Sequence, residues 1–448
     1  MQENEFIDFM ERYAQKHIIR HLDTLSRDDR NTFLNSASGM NFELVFNLHE
    51  KFSCQDDTPA KYGRIEPPPV IDATTANGAQ KDAVRLTGER AIAEGKTAVV
   101  IVAGGQGTRL GYPHPKGMYP ISPLKGKSLF QLSSEKILAL SRRYGAMIPV
   151  LIMTNPETLK DIEDFFTEHD FFGLEADNIF FFSQEMLPSI TPDRKLVLKN
   201  RTSLLSNPDG HGGSLKALWQ SGLTGKLESM GITKIFYCHI DNPLLKIDDP
   251  VFLGWHIKEN ADFSLKVVRK RYPGEKVGNF VMADGKPRMI EYIELPDKIK
   301  DMQDGKGNPV FWAGSIGIHF MNTDFIKMIN RNGFKLPYHR QVKKIKKEAG
   351  AELTEIWKFE TFVFDAIPLA GRICCMETIR NEEFAPLKNS DGENSPATVK
   401  QAMVAFYKNR LLAAGMTVSE GVKVEISPLA DLDKITLPSV ISEDTYIE

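Results

Sequence analysis

The feature that most constrains the fold is a short apolar run that is followed at once by a glycine-rich loop. Residues 97–102 read TAVVIV, and β-branched residues at this density are typical of a strand buried on both faces. Such strands occur in parallel sheets covered by helices, and these sheets bind ligands beyond the carboxyl ends of their strands. The loop that follows, AGGQGTRLGYPHPKGM, therefore begins at the edge where a ligand is expected.

The composition of this loop predicts that it binds phosphate groups. Glycine has no Cβ atom, so a glycine-rich backbone can take positive φ values and bring its N–H groups close to phosphate oxygens. The glycines concerned are Gly104, Gly105, Gly107 and Gly111. Arg109 adds a planar fork that can contact two oxygens, and Lys116 adds a mobile point charge. We interpret the loop as a cradle for a nucleoside triphosphate.

Two better-known glycine motifs do not fit this chain. The ending of a P-loop is present at residues 126–128, GKS, but Ile121 occupies the position of the required first glycine. A dinucleotide fingerprint, GxGxxG, also fails, because three residues separate Gly107 from Gly111. The loop therefore needs a third design for binding phosphate.

Composition and charge exclude several other classes of protein. The chain has 448 residues, of which 42% are hydrophobic and 26% charged, as expected for a globular protein of two or three domains. Its net charge of −3 gives no general attraction to nucleic acids or anionic membranes, so local cations must hold any anionic ligand. Four cysteines without CxxC spacing indicate a reduced protein, and no apolar run reaches the length of about 18 residues typical of a membrane span. We expect a cytoplasmic protein that binds neither nucleic acid nor membrane.

The order of the predicted elements indicates an α/β fold. Between residues 96 and 385, strands alternate with helices, which is the pattern of a mostly parallel sheet. The predicted strands are Ala98–Val102, Pro149–Met153, Asn178–Ser183, Lys234–His239, Phe263–Val268 and Ile316–Phe320, and the predicted helices include Leu129–Tyr144, Glu157–Glu168 and Ser214–Gln220. Apolar residues at helical spacing predict a helical region over residues 1–95. Residues 386–448, with a helix at Thr398–Ala414, are expected to form a small C-terminal domain.

Three further polar segments are candidates for ligand contacts. Asp241 follows the predicted strand Lys234–His239 and can hold Mg²⁺, although its carboxylate can instead cap the turn before Pro243. The turn at residues 207–213 opens a helix whose N-terminus favours an anion or a hydroxylated ligand, or it is a plain turn with an N-cap. Gln184 can read the edge of a base with its amide, or it is an exposed loop residue.

Together, these segments resemble the eukaryotic-type UDP-sugar pyrophosphorylases, and most closely the UDP-N-acetylglucosamine pyrophosphorylases. Ten blocks match in the order that the family has, and they span residues 99–392. The blocks are AGGQGTRLGYPHPKGMYPI, SLFQLSSEKI, SQEMLPSI, NPDGHGGSLKAL, YCHIDNPLLKIDDPVFLGW, KVVRKRYPGEKVGNFV, EYIELP, WAGSIGIHF, KFETFVFD and EEFAPLKNSDG.

The resemblance implies a fold and a reaction. The fold is a nucleotidyltransferase core similar to the GT-A folds, with a mixed, mostly parallel sheet, an N-terminal helical region and a small C-terminal domain. The reaction converts UTP and a sugar 1-phosphate into a UDP-sugar and pyrophosphate, with Mg²⁺ or Mn²⁺ as the cofactor. These small substrates would be the partners of a monomer or a weak homo-oligomer.

The matching blocks also imply a role for each candidate residue. Arg109 and Lys116 would be catalytic cations at the triphosphate and at the transferring α-phosphate. Contacts with the nucleotide would come from Gly104, Gly105, Gly107, Gln184, Gly210 and Asp241. Of these, Asp241 would also ligate the metal, and Gln184 with the Gly104 and Gly105 backbone would read uracil. Contacts with the sugar and its phosphate would come from His211, Gly278, Glu291, Ser315 and Lys388.

Two departures from the family pattern concern the sugar. The N-acetylglucosamine enzymes typically read PDGNGG and NAGN. This chain has His211 in place of the asparagine of the first motif and Ser315 in place of the last asparagine of the second, and both asparagines would lie at the sugar. Glucose-type relatives carry GHG in the corresponding turn, so His211 favours a non-acetylated or broader substrate. The surrounding patterns favour N-acetylglucosamine 1-phosphate, and glucose 1-phosphate or a broad sugar range is the alternative. A protein that binds nucleotide sugars without catalysis is a further alternative, against which the intact Arg109, Lys116 and Asp241 argue.

Overall fold

The chain forms two compact units, each assembled from separate stretches of sequence. The computed structural model describes residues 2–54, 62–72, 78–292, 294–295, 297–346, 353–432, 434–435 and 438–448. The first unit comprises Met1–Lys61, Gln184–Ala217 and Phe334–Ala366, and the second comprises Tyr62–Ser183, Leu218–Gly333 and Ile367–Glu448. The sequence analysis instead predicted three consecutive domains, with boundaries at residues 95 and 385. That division into domains stays a prediction.

The first unit begins with a set of helices, as predicted for this region. Their bounds are Glu3–Arg12, Lys16–Asp23, Arg27–Ala37 and Phe42–Ser53. Ser26 and Asn41 begin two of them, because their side chains accept hydrogen bonds from backbone N–H groups in the first turn. Phe6 and Met10, one helical turn apart, are fully buried and pack in one apolar core with Phe46.

Short antiparallel strands complete the first unit. Met186–Pro188 pairs with Ser206–Pro208, Leu198–Asn200 pairs with Ser203–Leu204, and Tyr338–Lys346 pairs with Leu353–Thr361. The helical core extends onto them, since Leu187, Trp357 and Phe359 are buried in the same apolar cluster as the N-terminal helices. This cluster therefore packs the strands Met186–Pro188 and Leu353–Thr361 against the N-terminal helices.

A large mixed sheet forms the centre of the second unit. Among the described residues, the sheet has eleven strands. Its main path runs in the order Ile71–Asp72, Ile373–Glu377, Phe263–Arg269, Ala313–Asn322, Lys234–His239, Thr97–Val102, Val150–Thr154 and Ile179–Ser183, with Ile65–Glu66, Asn279–Ala283 and Lys286–Ile290 attached beside it. Neighbours on the main path are parallel except around Ala313–Asn322, which is antiparallel to both of its neighbours. The predicted mixed, mostly parallel α/β sheet is therefore confirmed.

Helices connect the strands of this sheet. Their bounds are Gly78–Ala93, Leu129–Tyr144, Leu159–Glu168, Leu223–Ser229, Pro250–Lys258, Asp297–Lys300, Thr323–Arg331 and Arg380–Glu383, while Gly213–Gln220 begins in the first unit. The predicted strand Lys234–His239 and the predicted helix Leu129–Tyr144 coincide with the observed elements. The remaining predicted strands and helices are confirmed with ends that differ by one to three residues.

The chain ends in a helix and four short strands. The helix Pro396–Ala413 begins at Ser395, whose side chain accepts a hydrogen bond from the N–H of Thr398. The strand Thr417–Val418 pairs in parallel with Val440–Ile441, and Val424–Ile426 pairs in parallel with Thr445–Ile447. In the part of the chain that the structure describes, no helix combines the length and apolar character needed to cross a membrane.

Two helices of the second unit cross at a pair of glycines. A Cβ atom on Gly88 would lie 1.9 Å from the Pro250 carbonyl oxygen, and one on Gly254 would lie 1.8 Å from the Val84 carbonyl oxygen. Both distances are far shorter than any real contact, and the obstructing atoms are backbone. The helices Gly78–Ala93 and Pro250–Lys258 can therefore approach each other only because both positions lack a side chain.

We expect Gly254→Ala to destabilise the protein by about 3 kcal/mol or more, because the added methyl group overlaps the neighbouring helix backbone. Gly225→Ala is the matched control, since Gly225 lies in the helix Leu223–Ser229 and a Cβ there meets nothing within 4 Å. The control should gain about 0.5–1 kcal/mol from the better helix propensity of alanine. Urea unfolding measures both changes, and equal midpoints for Gly254→Ala and wild type would contradict the prediction.

Candidate active site

Two neighbouring strands of the large sheet bring the glycine loop and Asp241 to one edge. The strands Thr97–Val102 and Lys234–His239 are parallel, and their register pairs Val102 with His239. Both strands therefore end at the same level, where the glycine loop leaves the first strand and Asp241 follows the second. This is the carboxyl edge at which sheets of this kind bind ligands.

The glycine loop is held in place by a buried side chain from the next strand. Asn155 follows the strand Val150–Thr154, is 2% exposed, and donates from Nδ2 to the Gly104 carbonyl oxygen at 2.6 Å. Its Oδ1 accepts hydrogen bonds from the backbone N–H groups of Glu157 and Thr158, at 2.8 and 3.1 Å. Asn155 thus ties the loop to the sheet. The sequence analysis missed this residue, although a polar residue directly after a buried strand is a signal that could have found it.

The positions in the loop require glycine for different structural reasons. Gly111 has a left-handed φ of 65°, and it is the only one of the four, all of which are described, with a positive φ. The backbone freedom of glycine is therefore used for a positive φ at Gly111 and not at Gly104, Gly105 or Gly107. Gly107 is required by close packing instead, because a Cβ there would lie 2.8 Å from the His114 carbonyl oxygen. The loop closes on itself through the hydrogen bond from Lys116 N to Gly105 O, at 3.0 Å.

Lys116 and Asp241 lie together at the end of the loop. The distance from Lys116 Nζ to Asp241 Oδ2 is 3.8 Å, and both side chains are about one-fifth exposed, at 20% and 19%. Lys116 Nζ also donates to the Leu387 carbonyl oxygen at 3.3 Å. Arg109 lies on the short turn Thr108–Leu110, is exposed, and makes no ion pair in the described part of the chain. Two cations and one carboxylate are therefore accessible at this edge.

The electrostatics of His239 show that a third cation is near. Burial lowers the pKa of the His239 imidazole, the Asp241 carboxylate raises it, and the positive charges of Lys388 and Lys116 lower it again. Lys388 is exposed, and its backbone N–H donates to the Asn394 carbonyl oxygen at 2.8 Å. The sequence-predicted residues Lys116, Asp241 and Lys388 are thus brought together around a neutral histidine.

The predicted sugar residues of the second unit also lie next to one another. Ser315 N donates to the Gly278 carbonyl oxygen at 2.8 Å, and a Cβ on Gly278 would lie 3.4 Å from Glu291 Oε1. Gly278 precedes Asn279, which is 1% exposed and whose Oδ1 has no hydrogen-bond partner among the described residues. The structure therefore adds Asn279 to this group as a polar residue that the sequence analysis missed.

The remaining predicted residues belong to the first unit. Gln184 is 5% exposed, and its buried Oε1 has no hydrogen-bond partner within the described ranges. It is therefore not the exposed loop residue that was left open as an alternative. Gly210 has a φ of 90°, and a Cβ there would lie 2.3 Å from the Thr361 carbonyl oxygen, so this position requires glycine.

His211 is fixed by its neighbours in the first unit. Its Nδ1 accepts a hydrogen bond from the backbone N–H of Val363 at 3.1 Å. Its ring stacks on Phe362, with 5.2 Å between the ring centroids and an interplanar angle of 28°. In the neutral ring, this hydrogen bond places the proton on Nε2, so the opposite nitrogen is a donor.

Asp209 is a buried acid that the sequence analysis missed. It precedes Gly210, is 1% exposed, and its Oδ1 has no hydrogen-bond partner among the described residues. Its carboxyl oxygens would lie 2.1 and 2.2 Å from a Cβ on Gly213, so they cover the start of the helix Gly213–Gln220. Burial, and after it the negative charge of Glu185, raise the pKa of Asp209 to about 8. Asp209 is therefore largely protonated at neutral pH.

Asp241 is the candidate ligand for a metal ion at this edge of the sheet. In the described residues, no group of three or more His, Cys, Asp or Glu side chains could hold a metal ion. Asp241 still fits a hard cation, because its carboxylate is accessible and lies beyond hydrogen-bond distance of Lys116 Nζ, at 3.8 Å. Mg²⁺ is commonly bound by one or two carboxylates together with the phosphates of a substrate.

We expect the stability of Asp209→Asn relative to wild type to increase as the pH rises from about 4 to about 8. Over this range the folded wild type keeps a proton on Asp209 that the unfolded chain releases, so its stability falls by up to about 1.4 kcal/mol per pH unit. The variant has no such proton. Asp193→Asn is the control, because hydrogen bonds from Lys195 and Thr191 lower the pKa of Asp193. The stability of Asp193→Asn relative to wild type should therefore not increase over this pH range. Thermal unfolding at several pH values measures the differences, and a pH-independent difference for Asp209→Asn would contradict the assignment.

Comparisons with known proteins agree with the motifs. The family model of UTP–glucose-1-phosphate uridylyltransferases matches residues 46–419. UDP-N-acetylglucosamine diphosphorylase 2 of Arabidopsis thaliana is 33% identical, covering 98% of this chain and 92% of that protein. UDP-N-acetylglucosamine pyrophosphorylase of Saccharomyces cerevisiae is 33% identical and covers 92% of each chain. The crystal structure of the Trypanosoma brucei UDP-N-acetylglucosamine pyrophosphorylase has a TM-score of 0.83 at 26% identity, covering 100% of this chain and 98% of that one.

The extent of these matches decides the family. They run over most of the chain, at an identity above 30% for proteins of similar length, and the resemblance seen in the ten sequence blocks is confirmed. The chain belongs to the UTP–glucose-1-phosphate uridylyltransferase family of nucleotidyltransferases.

Proposed function

We propose that this protein transfers the uridylyl group of UTP to a sugar 1-phosphate and releases pyrophosphate, with N-acetylglucosamine 1-phosphate as the preferred sugar. The observation that carries the proposal is the position of Lys116, which lies at the end of the glycine loop, 3.8 Å from Asp241 and 3.3 Å from the Leu387 carbonyl oxygen. A cation held by a carboxylate and a carbonyl at the carboxyl edge of the sheet suits a phosphoryl centre whose charge changes during the reaction.

The chemistry requires positioning and charge more than proton transfer. A phosphate oxygen of the sugar 1-phosphate attacks the α-phosphorus of UTP, the bond from that phosphorus to the bridging oxygen breaks, and pyrophosphate leaves with the electron pair. The attacking oxygen is already anionic, so no strong general base is needed. Lys116 would neutralise the α-phosphate in the transition state, and Arg109 would neutralise the leaving phosphates. The neutral, partly buried His239 is not required as a base.

A divalent cation, Mg²⁺ or Mn²⁺, completes the proposed site. Asp241 would hold it together with the substrate phosphates, and when bound it would supply further positive charge at the phosphate oxygens. Lys388 would bind phosphate, as its place in the matching block implies. The role of Asp241 as a ligand is compatible with its accessible carboxylate, and its backbone oxygen also accepts from Leu387 N at 2.7 Å.

Recognition of the base and the sugar is assigned from the matching sequence blocks, and for the base a buried amide oxygen supports the assignment. We assign uracil to Gln184, with the backbone of Gly104, Gly105 and Gly107 as further nucleotide contacts. The buried, unpartnered Oε1 of Gln184 supports this role, because a buried amide oxygen without a partner is costly unless a ligand supplies one. Gly210 belongs to the nucleotide contacts as well.

The sugar contacts of the proposal are His211, Gly278, Glu291 and Ser315. The cluster of Gly278, Ser315 and Glu291 described above supports it for the second unit. His211 offers one donor, from Nε2, where the amide of an asparagine would offer both a donor and an acceptor. This difference favours a broader sugar range than that of the N-acetylglucosamine relatives, and glucose 1-phosphate is the second candidate.

A pyrophosphate-release assay with UTP, Mg²⁺ and a panel of sugar 1-phosphates tests the proposal directly. We expect release with N-acetylglucosamine 1-phosphate at a kcat/KM of at least about 10⁴ M⁻¹s⁻¹, within the usual range of enzymes. A higher kcat/KM for glucose 1-phosphate would overturn the choice of sugar and keep the reaction. If no sugar 1-phosphate releases pyrophosphate, the proposed reaction is wrong.

We expect Lys116→Ala to lower kcat about 100-fold while KM for UTP changes less than about threefold, because the charge of Lys116 acts mainly in the transition state. Lys160→Ala is the matched control, since Lys160 lies on an exposed helix face and pairs with Asp164 at 2.7 Å. Its kinetic constants should match those of wild type. Steady-state kinetics measures both variants, and equal losses in kcat and in UTP affinity for Lys116→Ala would contradict a transition-state role.

A further inference from the structure

A fully buried lysine lies behind the carboxyl edge of the sheet. Lys266 is on the strand Phe263–Arg269, and its side chain is 0% exposed. Its Nζ contacts Asp249 Oδ2 at 2.6 Å and the two carboxylate oxygens of Glu383 at 2.9 and 2.6 Å. The side chain of Glu383 is itself 2% exposed, and its Oε1 accepts a third hydrogen bond from Thr378 Oγ1 at 2.7 Å.

Stability is a weak reason to bury this group of charges. Replacing a buried ion pair by apolar residues of similar volume is often neutral or stabilising, because the charges lose their hydration when they are buried. The geometry of the group is more informative. Lys246 Nζ also lies 3.6 Å from Glu383 Oε1, so the Glu383 carboxylate is surrounded by Lys246, Lys266 and Thr378. These three groups fix the end of the helix Arg380–Glu383.

From Glu383, the chain runs directly into the candidate site. The Glu383 carbonyl oxygen accepts from Asn242 Nδ2 at 2.6 Å, and Asn242 Oδ1 accepts from Ala385 N at 3.1 Å. Two residues further on, Leu387 N donates to the Asp241 carbonyl oxygen at 2.7 Å. Residues 384–388 are thus bonded to the strand end that carries Asp241, and we name them the Leu387 segment.

The Leu387 segment supplies two groups to the site. The Leu387 carbonyl oxygen accepts from Lys116 Nζ at 3.3 Å, and Lys388 is the next residue. The segment has no helix or strand of its own, and its position depends on its hydrogen bonds with Asn242 and Asp241 and on the burial of Ala385 and Leu387 in the apolar core. The carboxylate of Glu383 anchors the first end, and the backbone of Asp241 holds the second.

We propose that Glu383, held by Lys266 and Thr378, is a positioning residue that places the Leu387 segment, and through it Lys116, for transfer of the uridylyl group. Glu383 touches no substrate in this role. The effect on uridylyl transfer rests on the proposed function. The placement of the Leu387 segment by Glu383 does not depend on that function.

The variant that tests the inference is Glu383→Gln. Glutamine keeps the size of the side chain and an oxygen that can accept from Lys266 and Thr378, and it removes one of the charges. Asp249 still balances Lys266, so the variant should fold. We expect kcat to fall about tenfold with KM for UTP unchanged within about twofold, because an ill-placed Lys116 weakens the transition state more than substrate binding.

Glu382→Gln is the matched control. Glu382 is the neighbouring residue, its side chain is 44% exposed, and it pairs with Lys246 at 2.7 Å. The same change of charge there should leave kcat within about twofold of wild type, because exposed ion pairs contribute little. An equal loss in both glutamine variants would mean that the charge of the region matters and the position of Glu383 does not.

A double-mutant cycle with Lys116→Ala separates positioning from general loss of structure. If Glu383 acts through Lys116, Glu383→Gln should lower kcat by less than about twofold once Lys116 is alanine. Losses that multiply fully, or an unchanged kcat in folded Glu383→Gln, would overturn the inference. If Glu383→Gln does not fold, Thr378→Val removes only the hydrogen bond of 2.7 Å to Oε1, and an unchanged kcat in that variant overturns the inference instead.

Hydrogen exchange gives a measurement that does not require activity. The Leu387 amide is protected by its bond to the Asp241 carbonyl oxygen, so Glu383→Gln should speed its exchange about tenfold and Glu382→Gln should not. An unchanged exchange rate at Leu387 overturns the inference. If wild type releases no pyrophosphate with any sugar 1-phosphate, the proposed function has failed, and the exchange rates still decide whether Glu383 positions the segment.

Discussion

The parallel pairing of Thr97–Val102 with Lys234–His239 is the constraint on which the candidate site depends. Its register places Val102 opposite His239, so the glycine loop and Asp241 start from the same edge of the sheet. A slip of one residue would turn the side chains of a strand to the opposite face, so the burial of both strands holds the register. The 3.8 Å between Lys116 and Asp241 follows from this backbone arrangement.

The sequence predicted the elements well where the signal was local. The strand Lys234–His239 and the helix Leu129–Tyr144 coincide with the predictions, because apolar residues at strand and at helix spacing mark them. The ten-residue strand Ala313–Asn322 was predicted only over its centre. Its residues also gave no indication that it runs antiparallel to the strands on both of its sides. Direction in a sheet is set by distant partners, which a pattern of residues along one strand does not name.

The same distinction applies to the site. The glycine loop, Lys116 and Asp241 could be found from sequence because each directly follows a recognisable strand or belongs to the loop itself. The roles of Asp209 and of the pair Lys266 and Glu383 depend on burial and on partners far along the chain, whereas Asn155 follows a buried strand directly and carried a local signal. Lys266 and Glu383 are 117 residues apart, and each alone is an ordinary charged residue. Gly107 is a further example, because the atoms packed against it require glycine there, while its φ is not positive.

The buried and the accessible charges of the second unit have separate functions. Lys266 is matched by Asp249 and Glu383 within hydrogen-bond distance, so these ions satisfy one another and have little charge left to offer a ligand. Lys116 is different, because its carboxylate partner lies at 3.8 Å, beyond a hydrogen bond, and Lys388 adds a second positive charge near His239. Burial is the main cause of the lowered pKa of His239, the Asp241 carboxylate raises that pKa, and the charges of Lys388 and Lys116 lower it again. In the proposed reaction, a bound polyphosphate would bring its negative charge to these cations, which would favour its binding and stabilise the transition state.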